Sequence, residues 1–239
     1  MSDHRPVWRL SLLGAWQLSC DGREAEVGRN GQRLFAFLAL HGACARSYVA
    51  GALWPDCSDT RASGNLRATL SRLHRRGLAE IVPPSCGVVS MSPAVQVDVH
   101  RVRTAAARVL DGPPVRSALR SLAGDELLAG WYDDWVLVAR EQLRQQRLHA
   151  LEALSARFLT AGDTAAAVEA ALATVALEPL RESAHGAVIR AHLVEGNRAE
   201  ALQHFGRLRT LLRGELGVEP SRTVSELFRT CHSTVTPRG

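Results

Sequence analysis

Gly162-Asp163 and Gly196-Asn197 stand 34 residues apart, and each is followed at the same distance by an alanine, Ala167 and Ala201. A period of this length belongs to helix-turn-helix units that cannot bury an apolar face alone and must stack on one another. Each glycine falls between two segments of helical apolar spacing, and the alanines let paired helices approach closely. The C-terminal half is therefore committed to helical pairs. The stretch 135–161 opens the stack, with Leu143, Leu148, Leu151, Leu154 and Phe158 as its apolar stripe and Arg140, Arg144 and Arg147 expected outward.

The first half reads differently. VWRLSLLG alternates, with Trp8, Leu10 and Leu12 on one side, as a half-buried strand does, and AWQLSCDGREAEV predicts a hairpin turning at Asp21-Gly22. A short core helix follows, carrying Leu34, Phe35, Phe37 and Leu38. SYVAGALWPD predicts a second helix with Ser47 as N-cap and Pro55 as its stop. The third helix carries Ala62, Leu66, Leu70 and Leu73 on one stripe, with Asp59 able to cap its start and Gly77 its end. EIVPPSCGVVSM then offers two β-branched runs about a Pro-Pro-Ser-Cys-Gly turn, the pattern of a hairpin wing. The expected fold is mainly α with a small N-terminal β component: a winged helix-turn-helix domain over 1–97, then a tetratricopeptide-like α-helical repeat domain over 98–239.

Charge singles out the third helix. The net charge of +5 over 239 residues is modest, the chain has no lysine, and its two halves differ little in charge balance. The segment Arg61 to Arg76, RASGNLRATLSRLHRR, nevertheless holds five arginines and no carboxylate. On a helical projection the face opposite the leucines collects Arg61, Gly64, Ala68, Ser71 and Arg75, flanked by Arg67 and Arg72. A basic face with a small centre suits a helix entering a major groove, because the axis approaches the bases while flanking guanidiniums reach phosphates or guanine edges. The competing reading is a solvated charged face.

Other chemistry is not written in the chain. No phosphate-cradling glycine loop, zinc-protease motif or nucleophile elbow occurs, so no catalytic residue and no cofactor are expected. His185 and His192 lie seven apart, too far for a metal pair on one helix, and the five cysteines, Cys20, Cys44, Cys57, Cys86 and Cys231, are scattered without a C-x-x-C pair. No metal site is expected, and the cysteines read as reduced thiols. The pairs Asp125-Glu126 and Asp133-Asp134 sit near helix starts, where the dipole favours them without catalysis. Trp131, Tyr132 and Trp135 form the densest aromatic cluster, either core at a domain junction or the lining of a ligand groove. With no run of eighteen apolar residues and no signal-peptide pattern in MSDHRPVW, a cytoplasmic protein is expected.

The element order, together with LLGAWQL, the G-R-x-x-Q-R entry at Gly28 to Arg33, ALWPD, and NLRATLSRL, resembles the OmpR-like DNA-binding domain of the Streptomyces antibiotic regulatory protein (SARP) family. LLAGWYDDWV, REQLR, EPLRESAH and LLRGELGVEPS resemble the bacterial transcriptional activator domain that follows in that family. The resemblance implies a non-enzymatic activator that binds direct repeats in double-stranded promoter DNA as two or more protomers and contacts RNA polymerase holoenzyme, including its sigma factor. It places DNA reading on Arg67, Ala68, Ser71, Arg72 and His74, beside the basic residues Arg61 and Arg75, and directs attention to Asp56 and Asp59 as a polymerase contact. Two departures stand out: Ser71 occupies a position where a second basic residue is common, and the wing Pro83 to Gly87 lacks a basic tip. Two other classes stay open from the residues alone: a repeat-based adaptor using the winged helix as an interaction module, and a regulator gated by a metabolite or phosphopeptide.

Overall fold

A computed structural model of the chain describes residues 6–112 and 114–232. Three short strands come first, β1 (Trp8–Ser11), β2 (Gln17–Cys20) and β3 (Arg23–Glu24), followed by helix α1 (Arg29–His41). Strand β4 (Cys44–Ala45) runs into α2 (Arg46–Leu53) and then α3 (Asp59–Arg75); a 3-10 turn (Leu78–Glu80) precedes β5 (Val88–Val89) and β6 (Gln96–Val97). Among the described residues the helices that follow are α4 (Asp98–Asp111), α5 (Arg116–Leu122), α6 (Asp134–Thr160), α7 (Thr164–Leu177), α8 (Glu182–Glu195), α9 (Arg198–Leu216) and α10 (Arg222–His232). The described residues form two compact units, one of residues up to Arg101 with Asp125–Gln142, the other of Val102–Gly124 with the chain from Leu143 on.

In the first unit a four-stranded sheet has the order β3-β2-β1-β6. β1 pairs antiparallel with β2, Leu10 opposite Leu18, and parallel with β6, Leu10 opposite Val97. Asp21 (φ 48°) and Gly22 (φ 82°) both take positive φ at the β2–β3 turn, the requirement of a two-residue hairpin with the native strand twist. The Asp98 carboxylate fastens the start of α4 to this sheet. It accepts the backbone N–H groups of Leu12 (3.0 and 2.9 Å), Leu13 (3.0 Å) and Val99 (2.7 Å), so three backbone donors share one carboxylate. His100 Nε2–H donates to Ala39 O at 2.7 Å, tying α4 to the end of α1.

Several expectations need correction here. Ser47 is not the N-cap of α2, because β4 leads straight in and Ala45 holds the cap position with extended backbone. Ser58, not Asp59, stands at the cap position of α3, without a side-chain hydrogen bond; Asp59 is the helix's first-turn acid. The wing is not a hairpin of the two β-branched runs. Ile81 and Val82 are consecutive and both fully buried, which an alternating strand does not permit, and β5 pairs instead with β4, Cys44 opposite Val89. Tyr132 is 78% exposed, so only Trp131 and, in part, Trp135 belong to the core. The side chain of Cys231 lies outside the described residues; the other four cysteines are free thiols.

The second unit builds the helical pairs. Gly162 (φ 79°) and Gly196 (φ 84°) make the left-handed turns between α6 and α7 and between α8 and α9, a conformation that costs other residues about 1 kcal/mol or more. Ala166, Ala167, Ala170 and Ala171 of α7 are fully buried, and Ser155 donates to Ala167 O at 2.9 Å, a distance that small side chains make reachable. Ile189, Ala201, Phe205, Leu208, Leu212 and Val224 close the core among α8, α9 and α10. Arg147, expected outward, is buried instead: Nε donates to Leu122 O at 2.6 Å and Nη2 to Gly124 O, so a loop that would otherwise bury bare carbonyls is satisfied. Arg140, in the first unit, does the same for Leu127, Leu128 and Trp131.

Two histidines complete this core. His185 Nε2 meets Pro179 O at 2.8 Å and must carry the proton there, so its Nδ1 accepts from His204 Nε2–H at 3.0 Å. Burial pushes His185 down, and burial with the neighbouring His185, His192 and Arg207 pushes His204 down to about 4. Both are neutral in the fold and charge in the unfolded chain at an ordinary pKa of about 6.5. The unfolded state therefore takes up protons first, and stability present above about pH 6.5 is lost as pH falls toward 4. The urea midpoint should fall over that interval, and His204→Phe should flatten the decline; equal pH slopes for the two proteins would contradict a neutral buried pair.

Candidate nucleic-acid interface

Helix α3 forms because one stripe of it has somewhere to go. Ala62, Leu66, Leu70 and Leu73 are at most 6% exposed and pack toward α1 and α2, while Thr69, also buried, satisfies its hydroxyl on Asn65 O at 2.8 Å. Burying each leucine contributes about 1.5–3 kcal/mol. Like-charged neighbours such as Arg72 with Arg76 cost only about 0.2–0.5 kcal/mol per pair, so packing wins and the helix persists with a self-repelling surface.

That surface is the predicted one. Arg61, Arg67, Ala68, Ser71, Arg72 and Arg75 are exposed, and nothing would lie within 4 Å of a Cβ at Gly64. Among the described residues none of the five arginines from Arg61 to Arg76 forms an ion pair. Arg72 Nε instead donates to Ala68 O (3.2 Å) on its own helix, and Arg76 Nη1 to Glu26 O (3.3 Å). Several arginines of the second unit are treated otherwise: Arg181 grips Glu152 through Nε and Nη2 at 2.8 and 2.9 Å, Arg209 and Arg213 share Glu219, and Arg144 meets Glu178. Asp59 stands in the first turn of α3, yet among the described residues no carboxylate pairs with the helix's arginines.

Two grooves flank the helix. One, about 530 Å³, lies between α3 and the wing, with Arg46, Arg67, Ser71 and Arg75 facing Pro83 and Ser85, and no carboxylate lines it. The imidazole of His74 is half-buried at its floor, its Nε2 on Val82 O at 2.9 Å, so this predicted reader is engaged with the wing's base. The other groove joins Arg72 and Arg76 to the first turn of α1, Gly28 to Gly31. Arg46 is the residue sequence reasoning missed. It lies 21 positions before Arg67 and reaches the groove only through the β4–β5 pairing.

Asp56 and Asp59 are both exposed. Asp56 borders a further groove with Trp54, Pro55, Tyr132, Asp134 and Trp135, placing the acid beside aromatic surface. Asp133, one residue before α6, is held by Arg33 (Nε at 2.9 Å, with Nη2) and, at 3.9 Å, by Arg29. Arg29 also lies 3.9 Å over the ring of Trp131, and Trp135 meets Phe37 edge-on at 5.3 Å. The expected aromatic cluster is thus divided between packing and surface. Among the described residues no group of histidine, cysteine or carboxylate side chains is arranged to hold a metal, and no helix is long and apolar enough to cross a membrane.

Residues 97–231 match the family model of the bacterial transcriptional activator domain. The regulatory protein AfsR of Streptomyces coelicolor is 30% identical over 243 residues, a match that covers 92% of this chain but 24% of AfsR. The chain thus spans about a quarter of the length of that curated relative. A structure of Mycobacterium tuberculosis EmbR in complex with a low affinity phosphopeptide superposes with a TM-score of 0.72 at 19% identity, covering 95% of this chain and 65% of EmbR. At that identity the likeness speaks to fold alone: mainly helical, with a small N-terminal sheet.

Gly64 offers a check on the helix itself. It is an interior helical glycine with open space around it, so Gly64→Ala should stabilise the chain by about 0.5–1 kcal/mol, measured as a higher urea midpoint. An unchanged or lower midpoint would mean that position 64 is not plain exposed helix.

Proposed function

The chain belongs to the bacterial transcriptional activator domain family, as its resemblance to the Streptomyces antibiotic regulatory proteins implied, and on that premise we propose that it is a sequence-specific DNA-binding activator. The observation that carries this reading is α3 with its C-cap Arg76: five arginines without a carboxylate partner among the described residues, around a centre of Gly64, Ala68 and Ser71. Positive charge left unneutralised on one face fits a polyanion, and the small centre fits close approach to base edges. Residues 1–97 serve as the DNA-binding domain and 98–239 as the activator domain. Arg72 reads a guanine edge, while Arg61, Arg67 and Arg75 hold phosphates. His74, engaged with Val82, positions the wing.

In the same reading two or more protomers occupy direct repeats in double-stranded promoter DNA of a secondary-metabolite gene cluster. There the exposed acids Asp56, beside Tyr132 and Trp135, and Asp59, in the first turn of α3, engage RNA polymerase holoenzyme through its sigma factor. Acids beside aromatic surface suit a basic, partly apolar partner. The site is cytoplasmic, at the nucleoid, and needs no cofactor and no catalytic residue.

Binding to promoter fragments should weaken steeply with salt. Arg72→Ala should cost about 1–3 kcal/mol on the operator and relax base preference near one position, whereas uniform weakening on every duplex would make Arg72 a phosphate contact. If no salt-dependent binding occurs, the adaptor reading takes over.

Activation separates from binding at Asp56. Asp56→Arg should keep wild-type operator affinity and lose activation in a reconstituted transcription assay; normal activation would move the polymerase contact elsewhere.

A further inference from the structure

The wing loop Pro83 to Gly87 carries no cation of its own, yet the groove beside it is basic. The charge comes from Arg46 at the start of α2. Strand β4 pairs with β5, Ala45 opposite Val88, and the contact continues one residue further: Arg46 N–H donates to Gly87 O at 2.9 Å. The side chain repeats the contact, Nη1 donating to Ser85 O at 2.8 Å. Backbone and guanidinium of one residue are thus both laid along the loop, while Ser85 Oγ closes it by donating to Val88 O.

Those bonds do not use up the guanidinium. It has five N–H donors and a charge that a single carbonyl does not neutralise. Arg46 is half-exposed, and among the described residues it forms no ion pair. Arg67 and Arg75 line the same groove from α3, Ser71 adds a hydroxyl, and no carboxylate enters. Three guanidiniums around one acid-free groove match a phosphodiester, which presents a diffuse negative charge and several acceptor oxygens.

Resting on the DNA-binding reading, we infer that Arg46 is the wing's cation: it takes a DNA backbone phosphate in the groove between α3 and the wing, in place of a basic residue at the loop tip. Its bond to Ser85 O sets where that phosphate sits, so Arg46 is both a contact and the part that positions it.

The test separates the two roles. Arg46→Gln keeps a side-chain N–H for Ser85 O and removes the charge; Arg46→Lys keeps the charge. Affinities of the full chain for a promoter fragment and an unrelated duplex are measured across a salt series. In Arg46→Gln the slope of log K against log salt should fall by about one, with equal loss on both duplexes, while Arg46→Lys keeps the wild-type slope. Adding Cys86→Arg to the Arg46→Gln chain places a guanidinium at the exposed tip of the same loop and should restore the slope. Wild-type slope in Arg46→Gln, whatever its affinity, overturns the inference and leaves Arg46 a clamp, the DNA-binding reading surviving. A wild-type chain that binds neither duplex in a salt-dependent way overturns both.

Discussion

The burial of Ala62, Leu66, Leu70 and Leu73 against α1 and α2 is the constraint from which the rest of the first unit follows. Once that stripe is inside, helical geometry leaves Arg61, Arg67, Ala68, Ser71, Arg72 and Arg75 no other side to occupy. A helix with five arginines between positions 61 and 76 would be a poor one in isolation. Its cations repel, Gly64 weakens it, and Asp59 is the lone acid in its first turn. Tertiary burial outweighs all three by several-fold, and so a surface chosen for its charge is presented on a helix that charge alone would not stabilise.

Several arginines are met within the fold by carboxylates or carbonyls, and the run on α3 contrasts with them. In the second unit Arg181, Arg144, Arg209 and Arg213 find carboxylates, and Arg147 finds carbonyls. In the first unit Arg33 and Arg29 converge on Asp133, and Arg140 serves three carbonyls. These are structural uses: a buried or half-buried guanidinium stabilises only where its donors are met. The arginines of α3 and Arg46 form no ion pair among the described residues, and Arg46, Arg67 and Arg75 bring their charge together in one groove. A concentrated field steers a polyanion far better than the same charge spread over the whole surface.

Much of this was legible before any coordinates. Leucine spacing revealed α3 and its inner stripe, Asp21-Gly22 the hairpin, and the 34-residue offset the paired helices, because each is a local periodicity or a local backbone requirement. The readings that failed concerned partners. Ser47 looked like a cap because the strand before it is only two residues long, and Ile81-Val82 looked like a strand because two β-branched residues carry no mark of being buried on both sides. Arg140 and Arg147 looked solvated, since a sequence does not reveal which loops will need their carbonyls satisfied.

By itself, then, the sequence determined most of the elements, the class of fold and the carboxylate-free run from Arg61 to Arg76, all of them properties of residues within a few turns of one another. Tertiary structure alone decided that Arg46 joins Arg67 and Arg75, that His74 turns to Val82, that Asp133 gathers two arginines, and that Asp56 stands beside Tyr132 and Trp135. The reason is physical: local preferences act over one or two helical turns, whereas these contacts join residues up to about a hundred positions apart. Closing such distances is driven by burial of apolar surface, which has no direction of its own, and the polar pairings are read only where packing has brought the groups to rest.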